Sequence, residues 1–539
     1  MSCTSVPFQS LPFPELFKDY ISQNPKLSEF FSGSPFSDSE IEKKIETFRF
    51  TGNRKKTVEL LKDFNQQFNP PAETIQSLNK LSDEKSFAVV TGQQLILYGG
   101  PVFTIYKVLT AIELSNKWQK KYNKPFVPVF WLADEDHDFE EVSKIGFPGT
   151  DEFNEINIGA LGEGNETAGE LSLNGSFSEF RKSLEESQIE TEFSRDLWKA
   201  LDDFYSSGEK LRTAFGRLLL FLFGKHGLVL AGSNDQAIKN HVVQPLQKSV
   251  VNYKELYKSL QGTTRGLVKK GYQAQVQVQE SNLFWIDEYR QRKKINVKDN
   301  RWAVEKDGRE WSTEQLSKEI EKQPHRFSPN VFLRPVVQDT LLPSITYIGG
   351  PGEIAYYSQM KNFYRNFDME MPLIFPRFSA TVLESGIDRI KEKLPFSFPD
   401  YFDRIEDLES RYIQNKNSVD VEQLFAQWKN RTDELTKEIK TKIGEIDPTL
   451  AGSAGKAKAV YLAELDKLKG KIYRSIKQQE KIQLERLHKI KNNINPNKNL
   501  QEREVAFIYF MNKYGLDIWD IFAKHFEDEI PDSHKLIRL

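Results

Sequence analysis

The chain has 539 residues, 28% of them charged and 38% apolar, with a formal net charge of −2 at pH 7. This near-neutral balance argues against a general nucleic-acid binder, and 12% aromatic residues, 39 of them Phe, argue against disorder. The single cysteine, Cys3, excludes an intrachain disulfide framework and a cysteine-based zinc site.

At roughly 150 residues per domain the chain divides into two to four domains. Its start, "MSCTSVPFQSLPFPELF", lacks a basic segment followed by an apolar one, so a cytoplasmic protein without a secretory signal is expected. The longest apolar run, Leu218 to Phe223, is too short for a bilayer, and no membrane partner is expected.

Residues 1–80 read as a helical wrap built from short amphipathic stretches such as "RKKTVELLKDFNQQF". From Phe87 the pattern changes. "FAVVTG" is a short β-rich run, "GQQLILYGGP" a turn-rich loop, and "VFTIYKVLTAIELSNKW" repeats Ile105, Val108, Leu109 and Ile112 at helical spacing. "PFVPVFWL" is a second apolar strand, so the stretch reads as a βαβ unit of a parallel sheet covered on both faces. Residues 145–205 look like an insertion. "LRTAFGRLLLFLFGKHGLVLAG" resumes with a buried helix and a strand. A second insertion covers about 260–325, where the alternation in "GYQAQVQVQESNLFWID" predicts an antiparallel hairpin. "RFSPNVFLRPVVQDTLLPSITYIGGPGEIAYYSQM" gives core-like strands, a Gly-Gly-Pro-Gly loop and a helix, and "MPLIFPRFSATVLE" a last strand. The core thus spans 81–384. Residues 385–500 carry Leu424, Trp428, Leu435, Ile439 and Ile443, then Leu465, Leu468, Ile472 and Ile476, at near-helical spacing. They read as a long antiparallel hairpin of coiled-coil type. Such a thin hairpin cannot bury its whole stripe, so homodimerisation through it is expected. Residues 501–539 read as a helical segment packing on the core.

Three places carry candidate chemistry. The first is the loop "TGQQLILYGGPVFTIYK", between strand and helix, where ligands bind in open parallel sheets. Gln93 and Gln94 offer neutral donors and acceptors, Gly99 and Gly100 a close backbone approach, and Lys107 a cation; the helix start has amides for a carboxylate or phosphate. The second is "TYIGGPGEIAYYSQMK", a similar turn with Gly349, Gly350, Glu353 and Tyr356. Arg334 and Gln338 in "LRPVVQD" and Arg377 in "IFPRFSA" interrupt apolar segments, which points to ion pairs or bound anions. The third is "FWLADEDHDFEE", with six carboxylates and one histidine between Asp134 and Glu141. It fits a divalent metal, an acid/base site with His137 oriented by Asp136 or Asp138, or a charged loop. Nothing in its spacing fixes a metal geometry, so no metal ligand is assigned.

These blocks, with "NVFLRPVVQDTLLPSITYIGGPGEIAYYSQMK", "PLIFPRFSATVLE" and the late segment "LQEREVAFIYFMNKYG", resemble the bacillithiol biosynthesis cysteine-adding enzymes, the BshC family, over essentially the whole chain. The resemblance implies a Rossmann-like core with connecting-peptide insertions and a coiled-coil dimerisation domain. It also implies a ligase that joins the L-cysteine carboxyl to the amine of glucosaminyl-malate in the last step of bacillithiol synthesis. The family core is similar to class I aminoacyl-tRNA-synthetase-like nucleotidyltransferases. This chain carries no literal HIGH or KMSKS element; the Gln93–Gln94 loop stands where a HIGH-like element would. The activating cosubstrate is therefore open, with ATP or another nucleotide among the candidates. On this reading His137, Asp136, Asp138 and Gln94 form the catalytic set, with His137 taking the ammonium proton. Gln93, Tyr98, Gly99, Gly100, Lys107, Arg334, Gln338, Gly349, Gly350, Glu353, Tyr356 and Arg377 hold substrate or phosphate. A metal-dependent hydrolase or lyase using Asp134, Asp136 and His137 is the second reading, and a non-enzymatic dimeric scaffold the third.

Overall fold

The structure, a computed structural model, describes residues 2–136, 143–149, 152–159, 161, 166–416, 420–525 and 531–539. It divides into two compact units: Met1–Phe147, Asn154–Thr381 and Glu502–Ile537 form the first, and Pro148–Phe153, Val382–Gln501 and Arg538–Leu539 the second.

The first unit is built on five parallel strands: β1 (Phe87–Gln94), β2 (Phe126–Ala133), β3 (Val229–Gly232), β4 (Ser344–Gly349) and β5 (Leu373–Pro376). Their order is β5-β4-β1-β2-β3, every neighbouring pair parallel. Phe87 to Gly92 and Phe126 to Leu132 are buried throughout, because helices cover both faces of such a sheet and leave no polar side. Helix α1 (Phe103–Tyr122) joins β1 to β2, and α2 (Leu211–Phe223) leads toward β3. Helix α3 (Leu333–Leu341) precedes β4 and α4 (Pro351–Tyr357) follows it. From β1 the chain adds β2 and β3 on one side, then β4 and β5 on the other. This reversal leaves a crevice at the carboxyl ends of β1 and β4, the place where open α/β sheets bind ligands.

Several segments differ from the sequence expectation. "LRPVVQDTL" is helix α3 and not a strand: Leu333, Val336, Val337 and Leu341 are all buried at helical spacing, with Pro335 tolerated in the first turn. In "GYQAQVQVQESNLFWID" only Leu283–Ile286 is a strand. It belongs to a five-stranded antiparallel sheet ordered Glu310–Trp311, Arg301–Val304, Arg292–Lys298, Leu283–Ile286, Phe327–Pro329. The Gln-rich part pairs with no strand, since alternation marks an extended chain with two unlike faces and names no partner for it. The N-terminal segment begins with a strand, Ser2–Pro7, beside Ser533–Arg538, so neither terminal segment is purely helical.

In the second unit α5 (Val421–Ile446) and α6 (Ala451–Gln479) form a hairpin, followed by α7 (Lys481–Ile494). The pairs Glu422–Lys469, Lys429–Asp466 and Asp433–Lys458 cross it. One member's number rises as the other's falls, so the helices are antiparallel. The inner seam is Val421, Phe425 and Leu465, with Leu462, Ile472 and Ile476 against it. Leu424, Trp428, Leu435 and Ile439, expected in that seam, are instead exposed by 38–57%. No helix among the described residues is long and apolar enough to cross a membrane.

Candidate active site

The carboxyl ends of β1, β2, β4 and β5 open into a cleft of about 690 Å³ within the first unit. Each strand delivers polar groups there. Pairing of β1 with β2 places Gln93 beside Leu132 and Gln94 beside Ala133, so the glutamines and the start of the acidic stretch emerge side by side.

A buried ion pair crosses the switch point. Lys107, on α1 after β1, places Nζ 2.6 Å from Oε2 of Glu353, on α4 after β4. Lys107 also donates to Gly92 O at 2.8 Å and Gln93 Oε1 at 2.9 Å. Glu353 accepts from the Tyr347 hydroxyl at 2.6 Å and the Gly350 N–H at 2.8 Å, and so also caps its own helix. Burial pushes the Glu353 carboxyl up, but Lys107 and the Gly350 N–H outweigh it and hold the group below its ordinary value. Burial in turn pulls the Lys107 ammonium below its ordinary value, with Glu353 opposing.

Arg334 is different. Its guanidinium donates to Gln338 Oε1 at 2.9 Å and to the Tyr356 hydroxyl at 3.2 Å, and lies 5.6 Å from the Tyr347 ring centroid. No carboxylate among the described residues pairs with it. Gln338 and Arg334 stand four apart on α3, which is why they meet. Gln338 is itself fully buried and passes a second hydrogen bond, at 2.9 Å, to Asp339; it orients Arg334 and does not line the cleft. A cation surrounded by neutral partners at a cleft wall keeps its charge available to an anion.

Arg377 lines the cleft, but its charge is already matched. It donates to Glu502 Oε1 at 2.6 Å and to Phe378 O at 2.8 Å. Glu502 is held below its ordinary value because Arg377 overcomes the upward push of burial. Arg503, exposed at the same cleft, has no ion-pair partner among the described residues and sits 5.8 Å from the Phe103 ring centroid.

At the end of β2 the described carboxylates diverge. Asp134 is fully buried, accepts the Asn234 N–H at 3.1 Å, and lies 3.7 Å from Arg212. Burial raises its carboxyl to about 7, with Arg212 opposing. Glu135 is buried against Lys239 and Ser233. Asp136, on the cleft wall, accepts from Gln94 Nε2 at 3.0 Å and lies 3.6 Å from Arg292. No group of three or more metal-ligating side chains converges among the described residues. His137 and Asp138 lie outside the described residues.

The first Gly-Gly-Pro turn does not reach the cleft. Tyr98, at φ +50°, is buried among Phe177, Phe180, Trp198 and Tyr205. Gly100 accepts from the Phe507 N–H at 2.8 Å, and the Val102 N–H donates to Val505 O at 2.9 Å. The start of α1 is thus closed by chain and offers no anion seat. Tyr98, Gly99 and Gly100 are corrected from ligand groups to a structural turn. The second turn keeps its place: Gly350, Pro351, Gly352, Glu353 and Tyr356 line the cleft, and Gly349 ends β4 and accepts from the Arg377 N–H at 2.9 Å.

Sequence reading missed Arg292, Arg503, Asn330, Ser233 and the glutamines 275, 277 and 279, all at the cleft. Arg292 sits in a run of basic residues with nothing to mark it. The glutamines did carry a signal, a strict Gln-x-Gln-x-Gln alternation.

Comparison with known proteins agrees with this layout. The description "Bacillithiol biosynthesis BshC, N-terminal Rossmann-like domain" matches residues 1–378, and "Bacillithiol biosynthesis BshC, C-terminal coiled-coil domain" matches residues 380–539. A Salinibacter ruber protein named "Putative cysteine ligase BshC" is 30% identical, covering 94% of this chain and 93% of its own. Proteins of the same name from Chlorobaculum tepidum, 29% identical over 98% and 97% of the two chains, and Bacillus anthracis, 28% over 87% of each, are also similar. With a Rossmann-like parallel sheet, a cleft at its switch point and a helical hairpin unit, the chain belongs to the bacillithiol biosynthesis BshC family.

Proposed function

We propose that the protein is a cysteine ligase that joins the carboxyl of L-cysteine to the amine of glucosaminyl-malate. The observation that carries this reading is Arg334, a cation at the cleft wall whose partners are all neutral. It is suited to a malate carboxylate, and Arg503 at the same cleft offers a second cation. Lys107 and Glu353 neutralise each other and act as a scaffold between the two halves of the sheet.

Amide formation from a free carboxylate must expel an oxygen, so the cysteine carboxyl has to be activated first. We attach ATP or another nucleotide to that role, with the cleft cations offsetting charge on the transferring group. The attacking amine must be neutral. We assign its proton to the carboxyl end of β2, where Asp136 faces the cleft bound to Gln94; His137 and Asp138 follow directly in sequence. A second copy of the chain is proposed to cover the exposed stripe Leu424, Trp428, Leu435 and Ile439 of α5. That stripe is too apolar to be left to water along a two-helix arm.

The test is product mass spectrometry on purified protein with cysteine and glucosaminyl-malate, with and without each nucleotide, and with a cell-extract control for a missing partner. The expected product carries one cysteinyl residue in amide linkage. No such product under any of these conditions would sink the ligase reading.

A further inference from the structure

The cleft has two unlike walls. One carries the cations. The other is the segment between Tyr272 and Asn282, which pairs with no strand and bends at Gln275, Val276 and Glu280. Three anchors hold it. The Tyr272 hydroxyl donates to Asp19 at 2.6 Å. In the middle, Gln359 clamps Val276 on both sides: its Oε1 accepts the Val276 N–H at 3.1 Å, and its Nε2 donates to Val276 O at 3.0 Å. At the far end Asn330 donates to Asn282 twice, from its backbone N–H at 2.8 Å and from Nδ2 at 3.0 Å. Gln359 is fully buried and fixed in turn by Thr264 at 2.9 Å. So much polar satisfaction for so short a segment fixes where its side chains stand.

Those side chains are Gln275, Gln277 and Gln279, all lining the cleft. None of the three carboxamides makes a hydrogen bond within the described chain. Gln275 reaches across to the opposite wall: its Nε2 lies 3.8 Å from where a Cβ on Gly352 would stand. The three stand at alternate positions of one short segment and meet the same cleft. The wall is thus a row of uncharged groups, each able to donate and accept.

We propose that this segment is the sugar-binding wall of the acceptor site, with Gln275, Gln277 and Gln279 hydrogen-bonding the hydroxyls of a hexose and Gln359 acting as the positioning residue that holds the row. The inference rests on the reading of the cleft as the acceptor site and names the part of the acceptor each wall takes. A polyhydroxylated ring suits the row: each hydroxyl is uncharged and both donates and accepts. A nucleobase offers a carboxamide only a single bidentate edge, which leaves a row of three unexplained. A carboxylate would be drawn to Arg334 on the other side.

The test is equilibrium titration of the full-length protein with three probes: methyl glucosaminide, L-malate and adenosine. It compares wild type, the combined Gln275→Ala, Gln277→Ala, Gln279→Ala variant, and Gln359→Leu. Loss of the row is expected to weaken glucosaminide binding by about tenfold or more, the effect of two or so neutral hydrogen bonds, with malate binding within about twofold of wild type on the same grounds. Gln359→Leu is expected to weaken glucosaminide in the same way and to raise amide hydrogen exchange across residues 273–280. Three results overturn the proposal: no glucosaminide binding by wild type, unchanged glucosaminide affinity in the triple variant, or a loss confined to adenosine. If wild type makes no amide product yet the titrations behave as expected, the ligase reading fails and the sugar wall stands.

Discussion

Lys107 and Glu353 come from helices on opposite sides of the switch point and meet in the interior. Removing one partner leaves the other charge buried alone, so Glu353→Gln should cost about 3–5 kcal/mol, read as a lower urea midpoint at unchanged slope. Asp134 makes the opposite kind of prediction. Its folded carboxyl is raised to about 7 by burial, against about 3.9 unfolded. Folding then holds a proton the unfolded chain has lost, so this contribution to stability is fully present below the unfolded value and is lost as pH rises through about 7. Relative to Asp134→Asn, wild type should lose about 2–3 kcal/mol between pH 5 and pH 8; parallel urea titrations at the two pH values measure it. Arg334 stood out in the sequence because charge inside an apolar run needs a reason, and Glu353 because it opens a helix after a Gly-Gly-Pro turn; both line the cleft. Arg377 carried the same signal and proved to be an internal ion pair. Nothing in its own segment names Glu502, which lies 125 residues away.

At the scale of elements, the two Gly-Gly-Pro turns read alike and fold to different ends. Both lie between a strand of the parallel sheet and a helix. The first is sealed by the segment around Val505–Phe507, a contact no local pattern reveals. Gly100 stands at φ +64°, and a Cβ there would collide with the Ile96 side chain. Gly100→Ala should therefore destabilise the protein by about 2 kcal/mol or more, with the folded fraction keeping wild-type kinetics. Among the described residues only the Gln275 side chain comes near a Cβ built on Gly352, at 3.8 Å. Gly352→Ala should leave thermal stability within about 0.5–1 kcal/mol of wild type and act on substrate KM alone. Denaturation and steady-state kinetics on the two variants separate a structural turn from a cleft turn. The helix α3 was misread as strand because its apolar residues also fit a short buried run, an ambiguity that periodicity leaves open over nine residues.

Across the whole molecule, the parallel core was readable because strands buried on both faces must be continuously apolar, and "FAVVTG" and "FVPVFWL" are. The position of the acidic stretch at a strand end was readable for the same reason. The hairpin was readable as helix, but its inner and outer faces were not, since Leu424 and Phe425 are equally apolar neighbours and only packing decides which turns inward. The outer face makes a prediction: Leu435→Glu with Ile439→Glu should convert a dimer to a folded monomer in light scattering, and a wild-type monomer at micromolar concentration would remove the dimer proposal. The proposed ligase activity needs the cleft at the switch point as acceptor site, with Arg334 as its anion anchor. The most direct test is the pair of KM values for glucosaminyl-malate and cysteine in Arg334→Gln. The expected result is a rise of about 10–100-fold for glucosaminyl-malate, the worth of a charge-assisted hydrogen bond, with the cysteine value within about twofold. An unchanged glucosaminyl-malate KM in a folded variant would contradict it.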